Sequence, residues 1–439
     1  MSIQQAGSSR RNKWVALVDG TNFFVSCERA FSPRLHGRPV GVMSNNDGCI
    51  IARSDELKAL GVPMGAPVHK IQHLIRRHRI ALLSSNFTLY ADMNRRLNDI
   101  LSCFSDRVEP YSVDESFVEL SGFFTDGLLE QGRQIEQAIA QQAHLPVGVG
   151  IAQTRTLAKL ANSQAKLKRQ GPKVSVLDAD ADSTCQLLEA TPVEEVWGVG
   201  KRLAERLRRL GIDNAWQLRE APEAMLRKRF SVTLARIQME LKGQPCHDGS
   251  GKETAKKQLR VSRSFGRASD NQQEVLDALR HHVQRAAEKL REQKSLVKTF
   301  SIFLRTNPFR SDRPQHSDTL LYQFDQPTAD TTEMLEAARK LLRRLWREGY
   351  HYHKAGVLLM ELVDASPAQL SVLETSETQN QRLKRERLMQ VMDRVNLSQG
   401  RGSVTLGVGM KEAGWKARQE KRSPAYTTSW QELPKVVAR

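Results

Sequence analysis

The sequence predicts an α+β protein of several domains. Its 439 residues are long for a single core. The element order β-α-β-β-α-β appears twice in the spacing of apolar residues, which alternate in strands and recur every three or four positions in helices. A wholly helical segment from about 182 to 243 separates the two copies. We therefore expect two to four domains built around separate sheets.

The first copy contains an insertion of mixed pattern from about 30 to 90. Without it, the order is the split βαβ arrangement of a ferredoxin-like sheet. In that topology strands one and two are parallel with strand three between them, so the end of strand one and the turn between strands two and three share one edge. The predicted elements are a strand Trp14–Val18, a helix near Tyr90–Phe104, strands Val108–Val113 and Ser116–Leu120, a helix near Gly127–Gln142, a strand Pro146–Ala152, a helix Arg155–Arg169 and a strand Lys173–Leu177.

Three acids fall at this shared edge. Asp19 ends the first strand, and Asp114 and Glu115 lie in the turn of YSVDESF (111–117). Adjacent carboxylates repel, and a third acid beside them favours a divalent cation that neutralises the group. Two-metal phosphoryl transfer is the chemistry that most often uses such a cluster. An Asp-Glu pair alone can also be a solvated hairpin turn; the convergence with Asp19 favours an active site.

The helical segment contains VWGVGKRLA (196–204), in which Gly198 and Gly200 open a tight turn before a basic helix. A helix-hairpin-helix of this kind offers backbone N–H groups to a phosphate, and Lys201 and Arg202 add positive charge. The pattern predicts binding to the DNA backbone. The alternative is an ordinary turn between two helices.

The second copy follows a linker at Gln244–Leu259 and has no cluster of acids at a strand end, which predicts a binding domain rather than a catalytic one. From Asp364 onward the pattern breaks into short, polar, basic segments, which predicts a tail that orders on partners. The predicted elements are strands Arg260–Gly266, Val297–Thr306, Asp318–Phe324 and Ala355–Leu362 and helices Asn271–Gln293 and Thr331–Glu348.

The formal charge of +18 and the pI of about 9.9 predict a polyanionic partner, with a generally basic protein as the alternative. Residues 241–439 hold 35 Lys and Arg against 23 Asp and Glu, so most of the excess lies there. Five cysteines without CxxC spacing predict a reducing compartment. No apolar run approaches the ~18 residues of a membrane span, so we expect a soluble, intracellular chain without a membrane partner. Met1–Lys13, polar and basic, is expected to be a mobile arm.

Seven separated blocks carry a family resemblance from about Trp14 onward. The chain resembles the Y-family DNA polymerases, specifically their UmuC branch. The resemblance implies a right-hand polymerase: a ferredoxin-like palm (14–29 and 91–178), small fingers (30–90), a helix-hairpin-helix thumb (179–243), a little finger (260–363) and a partner-binding tail (364–439). The blocks are VDGTNFFVSCE (18–28), SNNDGCIIARSDELKALGVPMG (44–65), SSNFTLYADM (84–93), YSVDESF (111–117), VGVGIAQTRTLAKLANSQAK (147–166), VWGVGKRL (196–203) and SRSFG (262–266).

The activity that the resemblance implies is template-directed, error-prone translesion DNA synthesis in the SOS response to DNA damage, in the cytoplasm at the nucleoid. Primer-template DNA and deoxynucleoside triphosphates would be the substrates. Asp19, Asp114 and Glu115 would hold two Mg²⁺ ions, with the carbonyl of Gly20 as a further ligand. The rival readings are an inactive polymerase-like scaffold that binds DNA and a nucleotide cyclase with a similar palm.

The resemblance also implies a nucleotide site that includes Phe23, Phe24, Lys58 and Lys166. Phe24 falls at the steric-gate position, where a ring excludes a ribose 2′-hydroxyl; its alternative is a core aromatic, which we expect Phe23 to be. The two lysines match cations that pair with the triphosphate. Two departures stand out: Asp55 occupies a position where many members have Tyr, and the usual Asn after the first metal-binding Asp is displaced by one, to Asn22.

Two segments of the tail imply protein partners. Gln369, Leu370, Ser371, Val372 and Leu373 resemble a peptide that binds a sliding clamp, although such short peptides also occur by chance. The final stretch, which includes 422–428, resembles the part of this branch that docks a cleaved UmuD-type accessory dimer and the RecA filament.

Overall fold

A computed structural model of the chain describes residues 13–120, 125–168, 170–246, 255–365, 376–407 and 414–433. The chain divides into two compact units: unit 1 comprises 1–44, 48–251 and 421–439, and unit 2 comprises 45–47 and 252–420. The expected arm (1–13, apart from its last residue) and the clamp-binding peptide (369–373) lie outside the described residues. Among the described helices, none has the length and apolar character needed to cross a membrane.

Unit 1 contains the predicted palm, fingers and thumb. In chain order its strands and helices are β1 (Val15–Gly20), α1 (Phe23–Phe31), β2 (Val40–Met43), β3 (Ile50–Arg53), α2 (Asp55–Ala59), α3 (Gln72–Arg77), β4 (Ala81–Ser84), α4 (Phe87–Leu101), β5 (Val108–Pro110), β6 (Glu115–Glu119), α5 (Thr125–Ala143), β7 (Val147–Ala152), α6 (Arg155–Leu167), β8 (Val174–Leu177), α7 (Asp182–Ala190), α8 (Lys201–Arg208), α9 (Ala215–Glu220), α10 (Glu223–Arg229) and α11 (Val232–Leu241).

The palm sheet has the strand order β5-β6-β1-β7-β8. Strand β1 lies antiparallel between β6 and β7, and β8 extends the sheet parallel to β7. The alternation along β1 places Ala16 and Val18 in one buried cluster and Leu17 in another, so each face of the sheet has its own core. The predicted split βαβ topology is confirmed, with β6 between β1 and β5.

The inserted fingers segment forms a small sheet of its own, in the order β3-β2-β4, with β2 and β4 parallel. Its own apolar cluster includes Ile50, Leu57 and Leu82. The thumb helices pack on the second face of the palm sheet, because Leu207, Leu218 and Leu241 belong to the same cluster as Leu17.

Unit 2 contains one antiparallel sheet in the order β11-β10-β12-β9. The apolar faces of α12 and α13 cover one side of it, with Val283 and Leu341 among the fully buried side chains. The elements of unit 2 are β9 (Leu259–Ser269), α12 (Gln272–Glu292), β10 (Ser295–Thr306), β11 (Ser317–Thr328), α13 (Thr331–Leu345), β12 (Tyr352–Asp364) and α14 (Ser376–Ser398).

The described part of the tail is folded, which corrects the expectation that this region orders on partners. Helix α14 belongs to unit 2 and docks through an Arg291–Asp393 ion pair (2.6 Å) and the buried side chain of Met389. Further on, Trp415 is buried in unit 2 and donates a hydrogen bond to Asp277 (3.0 Å). The pattern missed this docking because it rests on ion pairs and isolated apolar residues rather than on a continuous apolar stripe.

Candidate active site

The three predicted acids meet on two adjacent strands of the palm. In the antiparallel register of β1 and β6, Asp19 lies directly opposite Glu115. One residue further, the backbone N–H of Gly20 donates to the carbonyl of Asp114 at 2.8 Å. Because these are backbone pairings, the convergence is fixed by the sheet and not by side-chain choice. The expected meeting of the acids at one sheet edge is confirmed at the level of the backbone.

Helix α4 holds the turn that carries two of these acids. Asn94 Nδ2 donates to the carbonyl of Val113 at 2.8 Å, and Ser116 Oγ donates to Asn98 Oδ1 at 2.7 Å. The two asparagines are four residues apart and so lie on one face of the helix. Sequence reasoning did not single them out; two polar residues at helical spacing, on a helix that otherwise buries its apolar face, were the available signal.

Helix α6 places two ammonium groups on the acids. Lys166 Nζ lies 2.6 Å from Asp19 Oδ2, and Lys159 Nζ lies 2.7 Å from Glu115 Oε2. Lysines seven residues apart share a helix face, so this spacing could have identified Lys159, which the sequence analysis did not assign to the site. The helix sits very close to the sheet: a Cβ at Gly150 would lie 2.1 Å from the backbone nitrogen of Asn162.

Burial raises the pKa of Asp19 from 3.8 to about 6, even though Lys166 acts in the opposite direction. The charges of Glu115 and Asp114 raise it further, which shows that the three carboxyl groups interact. Ser112 Oγ donates to Asp114 Oδ1 at 2.5 Å. Within the part of the chain described here, no three His, Cys, Asp or Glu side chains are arranged to hold a metal ion.

Phe24 lies in an aromatic cluster on α1, the helix that follows the strand carrying Asp19. Its ring stacks on Tyr90 with centroids 4.4 Å apart and meets the exposed ring of Phe87 edge-on at 5.9 Å. The ring is partly buried, so one part of it stays accessible. Phe23 is 3% exposed and belongs to the core. A contact of Phe23 with a nucleotide would therefore have to come from its backbone.

Asn22 and Asp55, the two residues that depart from the family pattern, contact each other. Asn22 Nδ2 donates to Asp55 Oδ1 at 3.0 Å, and Lys58 Nζ lies 3.0 Å from the same oxygen. Asn22 has a left-handed backbone (φ 50°), which Asn tolerates better than most residues, and it precedes helix α1. Sequence reasoning treated the two positions separately, because nothing in the chain's local pattern links residues 33 apart.

The glycine turn of the thumb has the predicted form. Gly198 has φ +90°, a conformation that L side chains rarely adopt, and Gly200 is the N-cap of α8. Lys201 and Arg202 are exposed in the first turn of that helix. Whether they contact DNA stays a prediction.

Family models match most of this architecture. A model of the impB/mucB/samB family matches residues 18–163, one of the C-terminal domain of that family matches 256–372, and one of the IMS family HHH motif matches 186–212. A fourth, described as a domain of unknown function, matches 386–436. The first three fall on the palm and fingers, on unit 2 and on the thumb turn.

Known proteins resemble the chain over nearly its whole length. Protein UmuC of Salmonella typhimurium is 40% identical over 96% of this chain and 99% of its own. Protein ImpB of the same species is 39% identical, covering 95% and 98%. DNA polymerase IV 1 of Bacillus subtilis is 26% identical, covering 90% and 92%. A solved Y-family DNA polymerase chimera shares the fold, with a TM-score of 0.59 at 20% identity over 80% of this chain and 99% of that one.

The family models and the relatives, together with the shared fold, identify the class as the Y-family DNA polymerases. The chain belongs to the impB/mucB/samB family, the UmuC branch of that class. It is accordingly a DNA-directed DNA polymerase that carries out error-prone translesion synthesis. Enzymes of this class are nucleotidyltransferases that generally depend on divalent metal ions, and their substrates are primer-template DNA and nucleotides. The comparisons do not support the scaffold alternative.

Proposed function

We propose that the chain performs translesion synthesis by two-metal nucleotidyl transfer at the edge formed by β1 and β6. The observation that carries this proposal is the pairing of Asp19 opposite Glu115, with Gly20 hydrogen-bonded to Asp114. It brings three acids from two distant parts of the chain to one place.

The residues at this edge fit magnesium. All the proposed ligands are oxygens, the carboxylates of Asp19, Asp114 and Glu115 and the carbonyl of Gly20, and Mg²⁺ prefers such ligands. Burial raises the pKa of Asp19 although Lys166 lies 2.6 Å away, and a cation bound at this carboxylate would offset the cost of its buried charge. Two bound Mg²⁺ ions would activate the primer 3′-hydroxyl and stabilise the pyrophosphate leaving group.

Lys58 and Lys166 would bind the triphosphate of the incoming nucleotide. Lys166 now neutralises Asp19 and Lys58 neutralises Asp55, through contacts of 2.6 and 3.0 Å. A triphosphate offers each ammonium group a stronger acceptor with more negative charge. Lys58 is 42% exposed, so it can leave Asp55 without disturbing a core. Phe24 then limits the sugar by contact of its ring with the 2′ position.

The proposal also includes contacts with the DNA backbone and with partner proteins. The exposed Lys201 and Arg202, at the start of α8, would contact the DNA backbone. The peptide 369–373 would bind the sliding clamp, a UmuD-type dimer and RecA would dock on the chain, and the enzyme would act at the nucleoid in the cytoplasm. The resemblance supports these partners, and the net charge of +18 supports the DNA contact.

Primer extension by purified protein tests the proposal. Asp114→Asn should abolish extension in Mg²⁺ while primer-template affinity, measured by fluorescence anisotropy, stays near that of the parent. Asp106→Asn is the matched control, because it removes an exposed acid just before strand β5. The assay should include a UmuD-type dimer and RecA filament, so that dependence on accessory proteins is not mistaken for inactivity. Normal extension by Asp114→Asn would refute the metal assignment.

A further inference from the structure

Residues 421–433, which we name the strap, belong to unit 1 although they follow unit 2 in the chain. The strap runs along the fingers sheet: Ser84 N–H donates to the carbonyl of Lys421 and Lys421 N–H donates to Ser84 Oγ, each at 3.0 Å. Further along, Tyr426 stacks on Phe31 of α1, with ring centroids 5.1 Å apart. The strap thus contacts both β4 and α1.

Between these two contacts, the strap enters a buried hydrogen-bond chain. Ser423 is 8% exposed, and its hydroxyl donates to Glu28 Oε1 at 3.0 Å. The same carboxylate oxygen accepts the hydroxyl of Tyr90 at 2.8 Å. Asn86 Nδ2 donates to Ser423 Oγ at 3.0 Å and to two carbonyls of the strap, those of Ser423 and Pro424, at 3.1 and 3.2 Å. Both hydroxyl groups of this hydrogen-bond network, those of Ser423 and Tyr90, donate to Glu28 Oε1.

This hydrogen-bond chain ends at Tyr90, against which the Phe24 ring stacks. Tyr90, fully buried, is the residue on which Phe24 stacks at 4.4 Å. Glu28 lies four residues after Phe24 on α1, so the carboxylate and the ring share one helix face. Burial of a carboxylate is costly unless hydrogen bonds compensate for it, and Ser423 supplies one of the two that Glu28 receives from side chains.

We propose that Ser423 is a positioning residue for sugar selection: through Glu28 and Tyr90, the strap holds the Phe24 ring against the 2′ position of the incoming nucleotide. The inference rests on the proposed role of Phe24. It assigns a task to part of the region 386–436, which the family model describes only as a domain of unknown function. The strap acts by restricting the motion of the ring, and it does not touch the reacting atoms.

The test compares insertion of ATP and dATP opposite thymine. Loss of one hydrogen bond to a carboxylate is worth about a factor of ten, so Ser423→Ala should raise the ATP to dATP ratio of kcat/KM about tenfold, with dATP insertion little changed. Ser423→Thr keeps the hydroxyl and should keep the parental ratio. Thr428→Ala, at an exposed position of the same strap, is the control and should also keep it.

A second variant excludes general damage to the fold. Tyr90→Phe removes the other hydroxyl on Glu28 and should raise the ratio as Ser423→Ala does, and the double variant should show less than the product of the two effects because both act through one carboxylate. A parental ratio in Ser423→Ala, while Phe24→Ala raises it, would overturn the inference alone. An unchanged ratio in Phe24→Ala would overturn the steric gate and the inference together. Equal loss of both insertions in Ser423→Ala would overturn the inference.

Discussion

The palm and unit 2 are built from the same order of elements, yet their sheets differ in strand order. In the palm, the third strand (β6) lies between the first and second strands, β1 and β5. In unit 2, the fourth strand (β12) takes that place, between β9 and β10. The first strand is therefore central in the palm and lies at an edge in unit 2.

This difference decides what stands beside the end of the first strand. In the palm it is the hairpin turn, which places Glu115 opposite Asp19. In unit 2 the partner of Ser269, at the end of β9, is Tyr352 at the start of β12. The pocket at this edge of unit 2 is lined by cationic and imidazole side chains, among them Arg310, Arg313, His351 and His353. The palm edge gathers carboxylates and the unit 2 edge gathers cationic and imidazole side chains, so element order alone does not define the chemistry of an edge.

The largest expected effect is on kcat, and it should follow an acid at the β5–β6 hairpin of the palm but not one at the β10–β11 hairpin of unit 2. Glu115→Gln removes a proposed metal ligand and should lower kcat by about 1,000-fold or more, since charge stabilisation by metal is worth several kcal/mol. Asp318→Asn alters the first acid after the hairpin of unit 2 and should leave kcat near the parental value. Steady-state extension of one primer-template by both variants is the measurement. Similar losses in both variants would mean that the acids act on folding and not on chemistry.

The second prediction concerns two glycines at close approaches. In Gly150→Ala the new Cβ would lie 2.1 Å from the Asn162 nitrogen, and in Gly356→Ala it would lie 2.3 Å from Ser262 Cβ. Each overpacking should cost about 3 kcal/mol. Only Gly150→Ala displaces the helix that carries Lys159 and Lys166, so it alone should lower kcat in the folded protein.

Chemical unfolding and extension at a temperature where both glycine variants stay folded would check this. A normal kcat in Gly150→Ala, despite the expected loss of stability, would show that the lysines tolerate a displaced helix.

The smallest effect is a pH dependence of opposite sign in the two units. The pKa of Asp19 is raised to about 6 in the folded state, so ionisation of this group destabilises the fold. This destabilisation is absent below the ordinary pKa of 3.8 and fully present above 6. Burial, then the charges of His281 and Arg263, lower the pKa of His282 from 6.5 to about 3, so the folded state loses stability as pH falls below 6.5. Neither ring nitrogen of His282 has a hydrogen-bond partner in the structure.

Free energies of unfolding at pH 7.5 and 5, without metal, test both signs. Relative to Asp19→Asn, the parent should gain about 1 kcal/mol on acidification; relative to His282→Leu, it should lose about 2 kcal/mol. A shift of the same sign in both comparisons would contradict the assigned burial of one of these groups.

The sequence was enough to predict the secondary-structure elements and the topology of the palm sheet. Apolar periodicity defines the strands, and a split βαβ order allows few arrangements of the sheet. The sequence did not define the sheet of unit 2, where the same order allows the first strand to move to an edge. Side-chain pairings were harder still. The spacing of Lys159 and Lys166 places both on one face of α6 but does not say that Lys159 pairs with Glu115. The Asn22–Asp55 contact depends on how separate elements pack, and nothing in the local pattern reports that.

The tail shows a second limit of sequence reasoning. A polar segment reads as disordered when few of its residues are apolar, yet Ser423 is buried because Asn86 and Glu28 offer it specific partners. Such docking depends on complementary groups that lie more than 330 residues earlier in the chain.

The position of the strap in the sequence also means that unit 1 is completed only after unit 2 has been synthesised. Unit 1 includes residues 421–433, which the ribosome makes only after unit 2. At 5–20 residues per second, synthesis of the chain takes roughly 20 to 90 s. Until the strap is made, the β4 edge, where Ser84 later pairs with Arg422, has no strap. Exposed strand edges invite pairing with other chains, so we expect the nascent protein to be most prone to aggregation until the strap emerges.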